Sequence, residues 1–219
     1  AAHAISAMIV RGAPLRHGIG EVATPVASLT GEALVHRRQA TIGETLQGVP
    51  GVNADTFGGG ASRPVIRGQA APRVKVLSDS AEVMDASAVS PDHAVTAEPL
   101  LLKGVEVFRG PSALVFGGGA IAGAVNLIDE RVPTAIPENG VEGVAELRAG
   151  DNGAERAGVL GGTVGAGSFA AHAEAVRRTG DDYETPLGVV AGSFNETSTV
   201  SFGGAWIGSR GYLGGAFTH

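Results

Sequence analysis

Ser90-Pro91-Asp92-His93 is the most chemically informative tetrapeptide of the sequence. Ser as an N-cap and Pro at the first helical position predict a helix reaching Thr96 or Glu98. Asp92 and His93 then fall in its first turn. A carboxylate oxygen and a neutral imidazole are donors that suit Zn²⁺, but a zinc site needs four ligands and these supply two. The same residues also have a plain structural use. Asp at N2 complements the positive end of a helix dipole, and a single His is commonly a surface or packed residue. No HxxH or HxH pair completes a ligand set. His172 and Glu174, two apart, share one face of a later strand, with nothing in the sequence to bring them near His93. Nucleophilic catalysis fits poorly. There is no GxSxG elbow, and Ser, Asp and His in immediate succession cannot surround a cleft.

Composition narrows the classes further. Gly is 35 of 219 residues, more than twice the usual share of about 7%, without a collagen-like period. With 43% of residues hydrophobic, the chain has enough apolar surface to fold. Glycine at this level suits tight turns and closely approaching strands. The net charge of −6, with no Lys/Arg cluster, argues against nucleic acid as a partner. Cysteine is absent, which removes disulfides, thiolate metal sites and thiol catalysis. No run of eighteen apolar residues predicts a membrane-crossing helix, which leaves crossing by β-strands open. The sequence starts at Ala1 without a charged-then-apolar leader, and the expectation is a mature or clipped form.

The elements that position Asp92 and His93 are read from the flanks. Pro25–Leu29 predicts a strand, and Gly31–Arg38 a helix with Thr30 as N-cap. Thr41-Ile42-Gly43-Glu44 is a capping-box pattern opening a helix that stops at Gly48. Phe57–Pro64 is a glycine-rich turn, from which Val65-Ile66-Arg67-Gly68 begins a strand. Arg73–Leu77 alternates as a strand, and Ala81–Val89 reads as a long loop. The stretch Val105–Ile128, VEVFRGPSALVFGGGAIAGAVNLI, predicts a strand to Arg109, a Gly-Pro break, and an apolar turn at Ser112–Phe116. A second strand follows over Ala122–Ile128.

That stretch, with VEVxRGPxAxxxGxxAxxGxVN, resembles the end of the plug domain of TonB-dependent outer-membrane receptors. TIGETLQGVPGV and RPVIRG resemble earlier plug segments. The resemblance implies an α+β plug domain followed by antiparallel transmembrane β-barrel strands. Their expected limits are a flexible arm at 1–20, the plug at 21–133 and barrel strands at 134–219. It implies that Met8, Ile9, Val10 and Arg11 are a TonB box, a short extended peptide able to pair with a sheet edge of TonB. Arg67 and Arg109 would be buried and would anchor the plug to glutamates of the barrel wall. DASxxSPDHAVxxxPLLxxxVEVxRGP is similar to the subgroup that includes zinc-uptake receptors. In that subgroup an adjacent Asp-His, here Asp92 and His93, contributes to a metal site.

The last third carries the alternation a barrel needs. Val141, Gly143, Ala145, Leu147 and Ala149 oppose Glu142, Glu146 and Arg148, with Val144 the exception. Phe169, Ala171, Ala173 and Ala175 oppose Ser168, His172 and Glu174. Val200, Phe202 and Trp206 oppose Thr197, Thr199 and Ser201. Gly153–Gly165 and Gly211–His219 are expected strands, and Arg178–Asn195 a long polar loop. Roughly five strands compare with about 22 in a plugged barrel, so the barrel is incomplete and the chain is expected to be a fragment.

Taken together, the expectation is a non-enzymatic receptor in a Gram-negative outer membrane. It would take up a scarce nutrient, a metal ion such as zinc, without a catalytic cofactor. Its partners would be TonB, outer-membrane lipid and a metal ion or metal chelate. A siderophore, haem or cobalamin receptor of the same family is the alternative substrate class. A binding or signalling receptor without transport is the alternative mechanism.

Overall fold

The computed structural model describes residues 26–58, 60–83 and 86–219. The chain divides into two compact units, one running to Asp129 and one from Glu130 to His219.

The first unit is built on one mixed sheet. In chain order its elements begin with β1 (Val26–Thr30), α1 (Gly31–Val35) and α2 (Ile42–Leu46). β2 (Val52–Gly58), β3 (Ala61–Ile66), β4 (Val74–Ser78), β5 (Ala81–Glu82), β6 (Gly104–Arg109) and β7 (Gly123–Ile128) follow. The sheet order is β1-β6-β7-β4-β5. β4 pairs with β7 in parallel and the other neighbours are antiparallel. Every residue of β7 is buried, and β6 is buried up to Phe108. The alternation of Val105, Val107 and Glu106 predicts one buried face for β6, whereas both faces are covered and Glu106 is buried, its carboxylate accepting from Asn126 Nδ2 at 3.0 Å. Leu34 of α1 and Ile42 and Leu46 of α2 pack on Val105, Val107, Val125 and Leu127 to form the core. Phe108 meets Phe116 edge-on at 5.0 Å.

Local signals explain both the agreements and the departures. Thr41 Oγ1 accepts from the Glu44 amide at 3.3 Å and donates to the Glu44 carboxylate at 2.8 Å, so the side-chain N-cap of the pattern forms and opens α2. α1 is shorter than expected. Thr30 makes no side-chain cap, and Gly31 sits at φ +54, outside the right-handed helical region. β2 and β3 form a hairpin where a glycine turn leading into one strand was expected. Arg63 Nε donates to Asp55 Oδ2 across it at 3.0 Å. The β4–β5 turn carries Asp79 and Ser80 at φ +46 and +71. Such angles are costly without a compensating bond. The Ser80 amide supplies one by donating to Asn126 Oδ1 at 2.7 Å.

The second unit is a five-stranded antiparallel meander. It comprises β8 (Val141–Ala149), β9 (Arg156–Ala166) and β10 (Phe169–Gly180). A two-residue-per-strand hairpin, β11 (Glu184–Thr185) and β12 (Gly188–Val189), interrupts the next connection. β13 (Asn195–Gly208) and β14 (Gly211–Thr218) complete it. The β9–β10 connection is the two-residue turn Gly167-Ser168, with Gly167 at φ +60, as a type II′ hairpin requires at its first central position.

Faces alternate strictly along β10. Ala170, His172, Glu174, Val176 and Arg178 are buried, while Phe169, Ala171, Ala173, Ala175 and Arg177 are exposed. Residues 131–136 lie along the polar-bearing face as a strap. The Arg131 carbonyl sits where a Cβ at Gly203 would be, Val132 where one at Gly214 would be, and Ile136 against Gly165. Arg131 Nη1 donates to Thr218 Oγ1 at 2.7 Å, and Thr218 Oγ1 donates to Ser201 Oγ at 3.1 Å. The opposite face exposes Leu147, Leu160, Val164, Phe169, Phe202, Trp206, Leu213 and Phe217. Arg156, Arg177 and Glu196 stand at one end of that face, which is otherwise largely apolar, and a sheet with one polar and one mainly apolar exposed face is the pattern of barrel strands in lipid.

Candidate functional site

Asp92 and His93 lie on an irregular segment between two short 3₁₀ turns, Ala86–Ala88 and Pro99–Leu101. The helix expected from Ser90-Pro91 does not form. Ser90 Oγ bonds the Asp92 carboxylate instead of capping a following backbone amide. That side-chain bond competes with helix initiation, as Ser and Asp often do. His93 Nδ1 lies 3.0 Å from Asp92 Oδ1. Both side chains are about half exposed, 54% for His93 and 46% for Asp92.

The electrostatics follow from these contacts. The Ser90 hydroxyl, and after it the His93 ring, hold the Asp92 carboxyl below the ordinary aspartate range. Asp92 is therefore an ionised, solvent-facing acceptor beside an imidazole, a donor pair open to a cation. Among the described residues no third His, Cys, Asp or Glu joins a metal-holding group.

The segment is secured from behind. Arg63 Nη1 donates to the Ser87 carbonyl at 3.1 Å while its Nε holds Asp55. Glu98 accepts from the Leu100 amide at 3.0 Å and caps the second 3₁₀ turn. A cavity of about 70 Å³ lies beneath, lined in part by Arg63, Lys75, Glu82 and Ser87. That volume holds about two waters, not a cofactor.

Among the described residues neither plug arginine, Arg67 or Arg109, is fully buried. Arg67 is exposed in the turn after β3, at φ +51, because the strand ends at Ile66 and the chain reverses at Gly68. Arg109 is half-buried at the end of β6, and its Nη1 donates to the Pro50 carbonyl at 2.6 Å. Its Nε has no hydrogen-bond partner among the described residues. Arg67 Nη1 lies 3.6 Å from the Cβ position of Gly110, so the two arginine-bearing turns are neighbours. Met8, Ile9, Val10 and Arg11 lie outside the described residues.

His172 and Glu174 are brought together on β10. Nε2 lies 3.3 Å from Glu174 Oε2, and Nδ1 lies 2.8 Å from Thr163 Oγ1. They belong to the second unit. The sequence reading missed Arg63 and Asn126 as positioning residues. The alternation of β3 and the VN pair at the end of the Val105–Ile128 stretch were the available signals.

Comparison with known proteins agrees with this architecture. The TonB-dependent receptor plug domain family matches residues 19–124. The vitamin B12 transporter BtuB of Photobacterium profundum is 29% identical over 162 residues, covering 73% of this chain and 25% of that protein. The copper transporter OprC superposes with a TM-score of 0.70 at 23% identity, covering 83% of this chain and 28% of OprC. The siderophore receptor PirA from Acinetobacter baumannii gives 0.66 at 18% identity, covering 91% and 32%. The chain thus spans about a quarter to a third of the length of these proteins. Such receptors are Gram-negative outer-membrane barrel proteins. Residues 19–124 match the TonB-dependent receptor plug domain family, and the strands after them have the fold of the barrel wall of the similar solved structures.

Proposed function

We propose that this chain is part of a TonB-dependent outer-membrane transporter. The plug closes the barrel, substrate binds the plug segment that carries Asp92 and His93, and TonB engages Met8–Arg11 to open a path. No chemical step occurs on the substrate. Arg67 and Arg109 are read as the plug's anchoring cations, directed to carboxylates of the wall.

For the substrate we propose a divalent metal ion, zinc foremost, carried as cargo. The observation behind this is the exposed Asp92–His93 pair, with an ionised carboxylate 3.0 Å from an imidazole nitrogen. Two donors are half a zinc set, so the remainder would come from the longer protein. Cobalamin is the second reading, supported by the similarity to the vitamin B12 transporter over 73% of the chain.

Titration calorimetry on the intact receptor separates the two. Zinc affinity that falls at least tenfold in the Asp92→Ala/His93→Ala variant supports metal cargo. Unchanged zinc affinity, or tight binding of cobalamin alone, removes it.

A further inference from the structure

The exposed face of the second sheet has a cationic end with no role in the mechanism above. The register places Arg156 of β9 opposite Thr179 of β10, and Arg177 of β10 opposite Gly158. The two arginines are therefore diagonal neighbours on adjacent strands, a spacing of about 7–8 Å at which one anion can touch both. Both alternate with buried residues, so they share the exposed face with Leu160, Ala173 and Phe202. Among the described residues Arg156 has no ion pair. Arg177 Nη2 donates to Glu196 Oε1 at 2.8 Å, with side chains 70% and 60% exposed. An ion pair this open contributes little and can be exchanged for another partner.

Their height on the sheet identifies the ligand. Phe169, Trp206 and Leu213 share a register row at the short-turn end, as an aromatic girdle would. Arg156 stands level with Thr179, ten residues up β10 from Phe169. At about 3.4 Å per residue and a tilt of about 45°, that is roughly 24 Å along the membrane normal, against an apolar band of about 25 Å. Arg177 lies about 5 Å lower, within reach of the same plane by extending its side chain. This is also the end bearing the longer connection, residues 181–194, and long connections face outward in outer-membrane barrels.

We propose that Arg156 and Arg177 form a binding site for the phosphate of an outer-leaflet lipid headgroup. Paired guanidiniums suit phosphate because each offers a planar fork of donors. The apolar rows below them would lie against that lipid's acyl chains. Among the described residues Glu196 is the carboxylate paired with the couple, and it opposes the site. The proposal rests on the outer-membrane reading.

The test uses the full-length receptor in detergent, titrated with diphosphoryl lipid A and with the same lipid stripped of both phosphates. At least a tenfold preference for the phosphorylated form is expected. Arg156→Gln with Arg177→Gln should abolish that preference, and Glu196→Gln should increase it. Equal binding of both lipids, or an unchanged preference in the double variant, overturns the proposal. If the double variant does not insert, Arg156→Gln alone must still lower the preference severalfold. A fluorophore on Phe202→Cys, in a background without other cysteines, checks the underlying reading in nitroxide-lipid bilayers. Without quenching, both the membrane face and the site fall. With quenching but no phosphate preference, the site alone falls.

Discussion

Asn126 donates from Nδ2 to Glu106 Oε2 at 3.0 Å, opposite it in register at the buried centre of the plug sheet. Its other end accepts the Ser80 amide, so one side chain ties β6 to the strained β4–β5 turn. Asn126→Leu removes the acceptor for Ser80 and a donor to a buried carboxylate. The expected cost is about 2–3 kcal/mol, from leaving buried polar groups unsatisfied. Hydrogen exchange on the intact receptor should show the Ser80 region losing roughly thirty- to hundredfold of its protection. An unchanged exchange rate there would mean the turn is held by other means.

The strap on the second sheet depends on the missing side chain at Gly203. A Cβ there would fall on the Arg131 carbonyl, whereas Gly215 has open space around its Cβ position. Gly203→Val should displace the strap at a cost of about 1–3 kcal/mol, and Gly215→Val should not. Trypsin cleavage after Arg131 reports the difference: faster in Gly203→Val, unaltered in Gly215→Val. Equal rates would contradict the seating.

Asp92 gives a pH prediction whose sign follows from its contacts. Its folded pKa is lowered, first by the Ser90 hydroxyl and then by His93. The bonds it makes are present above the unfolded aspartate value and are lost as pH falls through the lowered one. Carboxyl-carbon NMR should therefore place its midpoint below that of an ordinary aspartate. Ser90→Ala should raise the midpoint; no rise would show that the hydroxyl is not the cause.

Charge placement on the second sheet should be tolerated by face. Ala173 is exposed in the middle of the apolar face, and His172 beside it is buried on the other. A lysine at Ala173 is expected to cost about 2–4 kcal/mol near the bilayer midplane, seen as lost heat-modifiable migration of the receptor. His172→Lys, on the polar side, should retain that migration. The reverse order would mean the faces are assigned backwards.

The sequence was most readable where one physical rule dominates. In β10 the two-residue period carries opposite chemistry on each face, and the observed burial follows it residue by residue. Thr41 and Glu44 announced α2 because both halves of the cap sit three residues apart. The helix expected at Ser90 failed because the same side chains had a competing local bond, and no apolar period followed to bury it. The β2–β3 hairpin was hidden because Asp55 and Arg63 meet only after the chain folds back. For the strap, nothing in residues 131–136 signals a docking partner; the complementary gaps are glycines some thirty to eighty positions away.

The turn Gly167-Ser168 sets more than a reversal of direction. Because side chains repeat every two residues, slippage by a single position between β9 and β10 would turn His172, Glu174 and Arg178 toward the hydrocarbon and Phe169 away from it. A residue that cannot adopt φ +60 at position 167 therefore threatens the sidedness of the wall as well as its stability. Misfolding at this corner should look like failed insertion, with the plug's own sheet still able to form.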